Sequence, residues 1–112
     1  MEIKDILVIA VEFSPDPGAR EEKDGANSGD LFLKNYLKPR FNKAVKEGYI
    51  LKIDLDGVFG YPSSFISGSF GALSMEYGSE IVLKHLDFKS ERRPIREKKI
   101  ISEIKQPETD YK

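Results

Sequence analysis

Cysteine is absent from the chain, which removes disulfides, thiolate metal sites and a cysteine nucleophile from consideration. A reducing compartment fits that absence. The only histidine is His85, so a histidine-rich metal site is excluded, and beside Leu86 this residue reads as structural. No G-x-S-x-G elbow surrounds any serine, and a Ser-His-Asp hydrolase is set aside. Net charge is lacking too. Eighteen basic and 19 acidic side chains leave −1, which gives no general pull toward nucleic acid or an anionic membrane. No apolar run approaches the roughly 20 residues that cross a bilayer. The start, MEIKDILVIAVEF, holds only the short run LVIAV between Asp5 and Glu12. With no small-residue cleavage site it does not read as a signal peptide, and the expected location is the cytoplasm. Neither a cofactor nor a metal is expected, and no internal repeat is visible.

What is there is the material of one globular domain: 112 residues, 39% hydrophobic and 33% charged. A chain of this size buries roughly 65% of its unfolded surface, enough for one core without staples. Residues 3–13 (IKDILVIAVEF) read as a first, largely buried strand. Residues 14–29 (SPDPGAREEKDGANSG) combine prolines, glycines and charges and predict a long loop, of which residues 14–27 are expected to be mobile or disordered without a ligand. Ser28 is a suitable N-cap for a helix from about Gly29 to Gly48, with Leu33, Leu37, Phe41 and Val45 along one face. Pro39 is expected to kink that helix or to begin a second one.

YILKIDLDG predicts the clearest strand, with Leu51, Ile53 and Leu55 on one face and Asp56-Gly57 as its turn. From Ser63 or Ser64 to about Glu76 the pattern is helical, with Ile66, Phe70, Leu73 and Tyr77 on a stripe. Residues 79–88 predict a short helix and then a strand near 85–88. Glu91 to Lys105 predicts a last helix with Ile95, Ile101 and Ile104 toward the core, and QPETDYK is expected to fray. This alternation implies α/β architecture: a small, open, mostly parallel or mixed sheet with helices packed mainly on one face.

The informative stretch runs from Asp54 through Asp56-Gly57 to Tyr61, Ser63, Ser64 and Phe65. A buried strand ends in acidic residues, a loop turns, and a hydroxyl pair opens a helix. The ends of strands and the helix starts that follow are where open α/β sheets take ligands and partners. A phosphate on Ser63 would meet the unpaired N–H groups of a helix start. Asp54 and Asp56 would repel that phosphate unless a metal or a basic group intervened. The bland alternative is that Ser63 is only a helix cap, worth about 1 kcal/mol. A cap does not account for Gly68 and Gly71 within the helix. Each costs about 1 kcal/mol relative to Ala, and small side chains there point to a close approach, by the sheet first and another protein second.

A second candidate is an anion- or nucleotide-binding site made by Arg20 and the helix start at Ser28 and Gly29. The ordinary reading of Arg20 is a solvated loop charge. Lys89, Arg92, Arg93, Arg96, Lys98 and Lys99 form a basic run, read first as a solvated helix face. Without interleaved aromatics to stack on bases, nucleic acid is an unfavoured partner.

The order of strand, D-x-D-G, loop, S-S and helix resembles the centre of the STAS domain, the fold of anti-sigma-factor antagonists and sulphate-transporter tails. A closer resemblance is to a bacterial STAS-like family of unassigned function. It rests on Gly18-x-Arg20, Gly25-x-x-Ser28-Gly29, Leu37-x-Pro39, Asp54-x-Asp56-Gly57, Ser63-Ser64-Phe65 and Phe70-Gly71-x-Leu73. The resemblance implies a STAS-like domain over residues 1–106 and a flexible tail over 107–112. It also implies a signalling role through protein–protein interaction rather than an enzyme. In the antagonists, the first Ser of D-S-S-G is phosphorylated by a partner serine kinase of the histidine-kinase ATPase fold, which releases that partner. By position the phosphoacceptor is Ser63, with Asp56, Tyr61, Ser64 and Phe65 as the partner-binding surroundings. Here Pro62 stands in place of the motif's Asp, and Phe65 in place of its Gly. Three functions follow for testing: a module docking an ATP-binding, kinase-like protein, a small anion- or nucleotide-binding protein, and an oligomeric or structural partner in a larger complex.

Overall fold

The computed structural model describes residues 1–107; the expected tail falls, from residue 108 on, outside them. Three strands, β1 (Ile3–Val8), β2 (Ile50–Asp54) and β3 (Leu86–Lys89), form one sheet in the order β1-β2-β3. Both pairings are parallel, with Leu7 beside Ile53 and Ile53 beside Phe88. Of the mostly parallel and mixed arrangements open to the sequence, the sheet takes the purely parallel one.

Strands added in one direction by crossovers of the usual right hand receive their helices on one side. Burial follows that rule. Leu7, Leu51 and Ile53 are wholly buried under the helices, whereas Ile6, on the opposite face of β1, is 52% exposed. The core they enter is aromatic: Phe32, Phe41, Phe65 and Phe70 are all fully buried and pack over the sheet.

The first strand is shorter than its sequence suggests. After Val8 the chain turns into α1 (Ile9–Glu12), and Glu12 Oε2 accepts the Val8 N–H at 2.9 Å. Arg40 meanwhile donates to the Ile6 carbonyl at 2.8 Å and binds Asp5 and Glu12. Two backbone groups on the outer edge of β1 are thus occupied, which blunts that edge against pairing with another strand.

The helix from Gly29 to Glu47 is continuous but not uniform. It comprises α2 (Gly29–Phe32), a π-helical turn over Leu33–Leu37 and α3 (Lys38–Glu47). Pro39 lacks an N–H and its ring crowds the carbonyl four residues earlier, and the widened turn before it relieves that conflict. Gly48 closes α3 in the left-handed conformation (φ 75°), where a side chain would be strained. Val45 is partly exposed, and Phe32 and Ala44 take the core places beside Leu37 and Phe41.

The next helical run starts with α4 (Ser63–Ile66), passes a second π-helical turn (Ser67–Gly71) and ends in α5 (Ala72–Tyr77). Its glycines do face a close approach, although not from the sheet. A Cβ on Gly68 would sit 2.9 Å from the Arg20 carbonyl oxygen, and one on Gly29 would sit 2.5 Å from the Phe65 carbonyl oxygen. Two helical segments and the 19–20 backbone therefore cross at glycine distance. Then follow α6 (Ser79–His85), β3 and α7 (Pro94–Lys105). His85 is buried, with Nδ1 2.8 Å from the Tyr49 carbonyl. In α7 the buried pair is Ile100 and Ile104, at i and i+4; Ile95 is 60% exposed and Ile101 only half-buried.

Candidate functional site

The carboxyl ends of β2 and β3 bring Asp54, Asp56 and Lys89 together. Lys89 Nζ lies 3.5 Å from Asp54 and 3.3 Å from Asp56. It is a basic group set directly against both carboxylates. Asp56 also accepts the backbone N–H groups of Glu91 (3.1 Å) and Arg92 (3.2 Å). Burial works against its charge, yet those N–H groups and Lys89 together hold the Asp56 carboxyl below the usual carboxylate range. Lys89 in turn is raised, chiefly by its hydrogen bond to Asp56. Asp56, with 16% of its side chain exposed, ties the end of β2 to the turn from β3 to α7.

From Leu55 the chain loops out to Pro62. Tyr61 is 7% exposed and donates its hydroxyl to the Leu55 carbonyl at 2.9 Å. Burial pushes its phenol further up from its ordinary value, so the hydroxyl stays protonated as a donor. Phe65 is fully buried against Phe32, at a ring separation of 5.6 Å, and against Tyr61 at 6.2 Å. Tyr61 and Phe65, read from the sequence as partner-binding, are therefore the floor beneath the surface. Their aromatic area is already claimed by the core.

Arg96 of α7 holds the loop from outside. Its guanidinium donates to the Val58 carbonyl at 2.8 Å and the Phe59 carbonyl at 3.0 Å, and lies 5.3 Å over the Tyr61 ring. From the other side, the Phe59 N–H donates to the Pro15 carbonyl at 2.8 Å. Between these restraints the Phe59 side chain is 80% exposed. A large aromatic held out to water on a pinned loop is the least expected feature of the surface.

Ser63 is exposed and Ser64 half-buried. The N-cap of α4 is Pro62, so Ser63 is the first helical residue and its hydroxyl does not occupy the capping position. Ser63 and Ile66 line a groove of about 410 Å³ whose other wall is α7, where Ile95, Lys98, Lys99, Ser102 and Glu103 contribute to the lining. A second depression of about 340 Å³ lies between Phe59 and Arg92, Arg93 and Arg96. The first lies between α4 and α7, the second between the β2–α4 connection and the turn that leads into α7. The basic run is therefore more than a solvated face: Arg96 is structural, and its neighbours border the two depressions.

The other sequence candidate is differently arranged. Ser28 is fully buried and caps α2, accepting the Leu31 N–H at 3.4 Å while donating to Asp30 at 2.6 Å. The Gly29 and Asp30 N–H groups donate to the carbonyls of Ala19 (2.8 Å) and Arg20 (2.9 Å). Arg20 is brought to this helix start, but its backbone takes a donor that an anion would need. The loop of residues 14–28 is folded back in the same way. Gly18 N–H donates to the Asn27 carbonyl at 2.8 Å, and Asn27 Nδ2 donates to the Asp16 carbonyl at 3.2 Å.

Sequence reading missed Phe59, Ile95 and Arg96 as a set. The available signal was Phe59 itself, an aromatic between Gly57 and Gly60 and outside every apolar stripe. Ile95, expected above in the core, stands 60% exposed because it lies nine residues before the buried Ile104, about 180° around the helix on the opposite face of α7.

The family model of a STAS-like domain of unknown function matches residues 29–96. The chain belongs to that family. No curated protein and no solved structure matches it. The matched segment runs from the start of α2 to Arg96 and so contains β2, the pinned loop, Ser63 and β3. Among the described residues, no helix is long and apolar enough to cross a membrane.

Proposed function

We propose that this protein is a regulatory protein-interaction module, used in the manner of an anti-sigma-factor antagonist. Its docking face is the loop and helix start from Val58 to Ser64, and its partner is an ATP-binding, serine-kinase-like protein. The observation that carries the reading is Phe59: an 80% exposed aromatic, restrained on both sides and close in sequence to the exposed Ser63. Aromatic anchors on rigid supports are the residues that dominate interface energetics. Rigidity matters because little ordering cost remains at binding.

Ser63 supplies the regulation. Its hydroxyl is solvent-facing and free of the capping role, so a phosphate there adds two negative charges without dismantling the helix start. Placed within a docking face, the same charges must be desolvated against the partner, and affinity falls.

The test is a photo-crosslinking amino acid at position 59 in the producing cell, followed by identification of the adduct. The expected adduct is one ATP-binding protein whose yield collapses in Ser63→Asp and persists in Ser63→Ala. Equal adduct yield in all three backgrounds would remove Ser63 from the account, and the absence of any adduct would remove the face.

A further inference from the structure

The two depressions along α7 carry a chemical bias that the composition of the chain does not. Their linings contain five cations, Arg92, Arg93, Arg96, Lys98 and Lys99, and two carboxylates, Asp56 and Glu103. Asp56 is already bound to Lys89 and two N–H groups. The chain as a whole balances 18 bases against 19 acids, so this excess is local. Set into it are two exposed apolar side chains, Phe59 at 80% and Ile95 at 60%.

From that juxtaposition we infer that the face binds an acidic, amphipathic segment of a partner protein. Its apolar side chains seat on Phe59 and Ile95, and its carboxylates lie along Lys98, Lys99 and Arg92–Arg93. This rests on the docking reading above and adds the partner's chemistry to it. Charge complementarity selects the acidic segment, because opposed charges speed encounter and exclude wrong partners. The apolar pair selects a folded or folding peptide over a purely ionic ligand. A nucleic acid is the less suited occupant. Among the described residues this face offers one exposed aromatic, Phe59, not the succession that single strands stack on.

The same geometry gives Ser63 a mechanism. It lines the groove that Lys98 and Lys99 line. A phosphate on Ser63 competes for the cations that would receive the partner's carboxylates, so modification both repels the segment and neutralises its site.

The test is fluorescence anisotropy with three labelled probes of equal length. One is a helical peptide with Leu at i and i+4 among Glu residues; the second has each Glu replaced by Lys; the third is a single-stranded oligonucleotide. The acidic peptide is expected to bind at least tenfold tighter than the basic one, with affinity falling as salt rises. Lys98→Glu/Lys99→Glu should lower that affinity about tenfold, in line with a few rim charges of up to about 1 kcal/mol each. Its melting temperature should stay at the parent value, since both lysines are exposed. Equal binding of acidic and basic peptides, binding by none of the probes, or tighter binding of the oligonucleotide overturns the inference. Failure here is separable from failure of the docking reading. If the position-59 adduct still forms and still responds to Ser63→Asp but ignores Lys98→Glu/Lys99→Glu, docking stands and only the acidic partner is wrong.

Discussion

Replacing Arg96 with Ala tests how the candidate face is held. The change removes two charge-assisted hydrogen bonds, at 2.8 and 3.0 Å, and the contact over Tyr61. A hydrogen bond to a charged group contributes about 1.5–3 kcal/mol when well buried. Phe59 is exposed, so water replaces the guanidinium readily at its carbonyl and less readily at buried Val58. The cation–π contact adds roughly 0.5–1 kcal/mol at such a site. A net loss of about 2 kcal/mol follows, which for a domain of this size lowers Tm by roughly 8 °C. The loss should be local first. Amide exchange at Phe59, Gly60 and Tyr61 should accelerate well beyond that at Leu51 and Ile53, because a loop opens below the global free energy. Arg96→Lys should rescue only part, since an ammonium lacks the planar fork that reaches two carbonyls. A melting temperature within about 1 °C of the parent, with unchanged exchange at 59–61, would refute the idea that Arg96 pins this loop.

Other outcomes follow from the same contacts. Gly29→Ala places a Cβ 2.5 Å from the Phe65 carbonyl oxygen and should destabilise by about 1–3 kcal/mol through forced separation of the crossing helices, read by denaturant titration. Tyr61→Phe leaves the buried Leu55 carbonyl without its 2.9 Å donor and should cost about 1–3 kcal/mol. Asp5 is held low, first by its hydrogen bond from Arg40, and Asp56 is lowered as well. Depressed carboxyls contribute stability that is present above the unfolded value of about 3.9 and lost as pH falls through the folded one. Parent stability should therefore drop below about pH 4, and Asp5→Asn should flatten that acid limb in urea melts.

Much of the fold was legible because short-range patterns governed it. The alternation Leu51, Ile53, Leu55 specified β2, and the stripe Ile66, Phe70, Leu73 specified a helix face, as period 2 and period 3.6 require. Ser28 and Gly48 marked the helix limits as a cap and a left-handed stop. Elsewhere the competing factor was tertiary. Residues 9–12 carry strand-like side chains yet turn helical, with Ile9 directed into the core. The spacing of Gly68 and Gly71 revealed a close approach, but not that the Arg20 backbone would meet Gly68 and the Glu103 side chain of α7 would meet Gly71. Around the site, the strand end and the exposed Ser63 were readable from motif order. The placing of Tyr61 and Phe65 in the core, and the pairing of Arg96 with carbonyls 37 and 38 residues away, were not, because no local pattern encodes which loop a distant helix will meet.

The central claim is that Ser63 switches binding without serving the fold, and the direct measurement is a paired titration. The protein captured at position 59 is titrated calorimetrically against the parent, Ser63→Ala and Ser63→Asp, with melting curves of all three. A carboxylate at a helix start is itself worth about +0.3–1 kcal/mol of stability, so Ser63→Asp should melt at or slightly above the parent temperature. Its affinity should nonetheless fall at least tenfold, or about 1.4 kcal/mol, while Ser63→Ala binds within about twofold of the parent. If both variants bind as the parent does, Ser63 is not a switch; if Ser63→Asp loses affinity only in step with a falling melting temperature, its effect is on the fold.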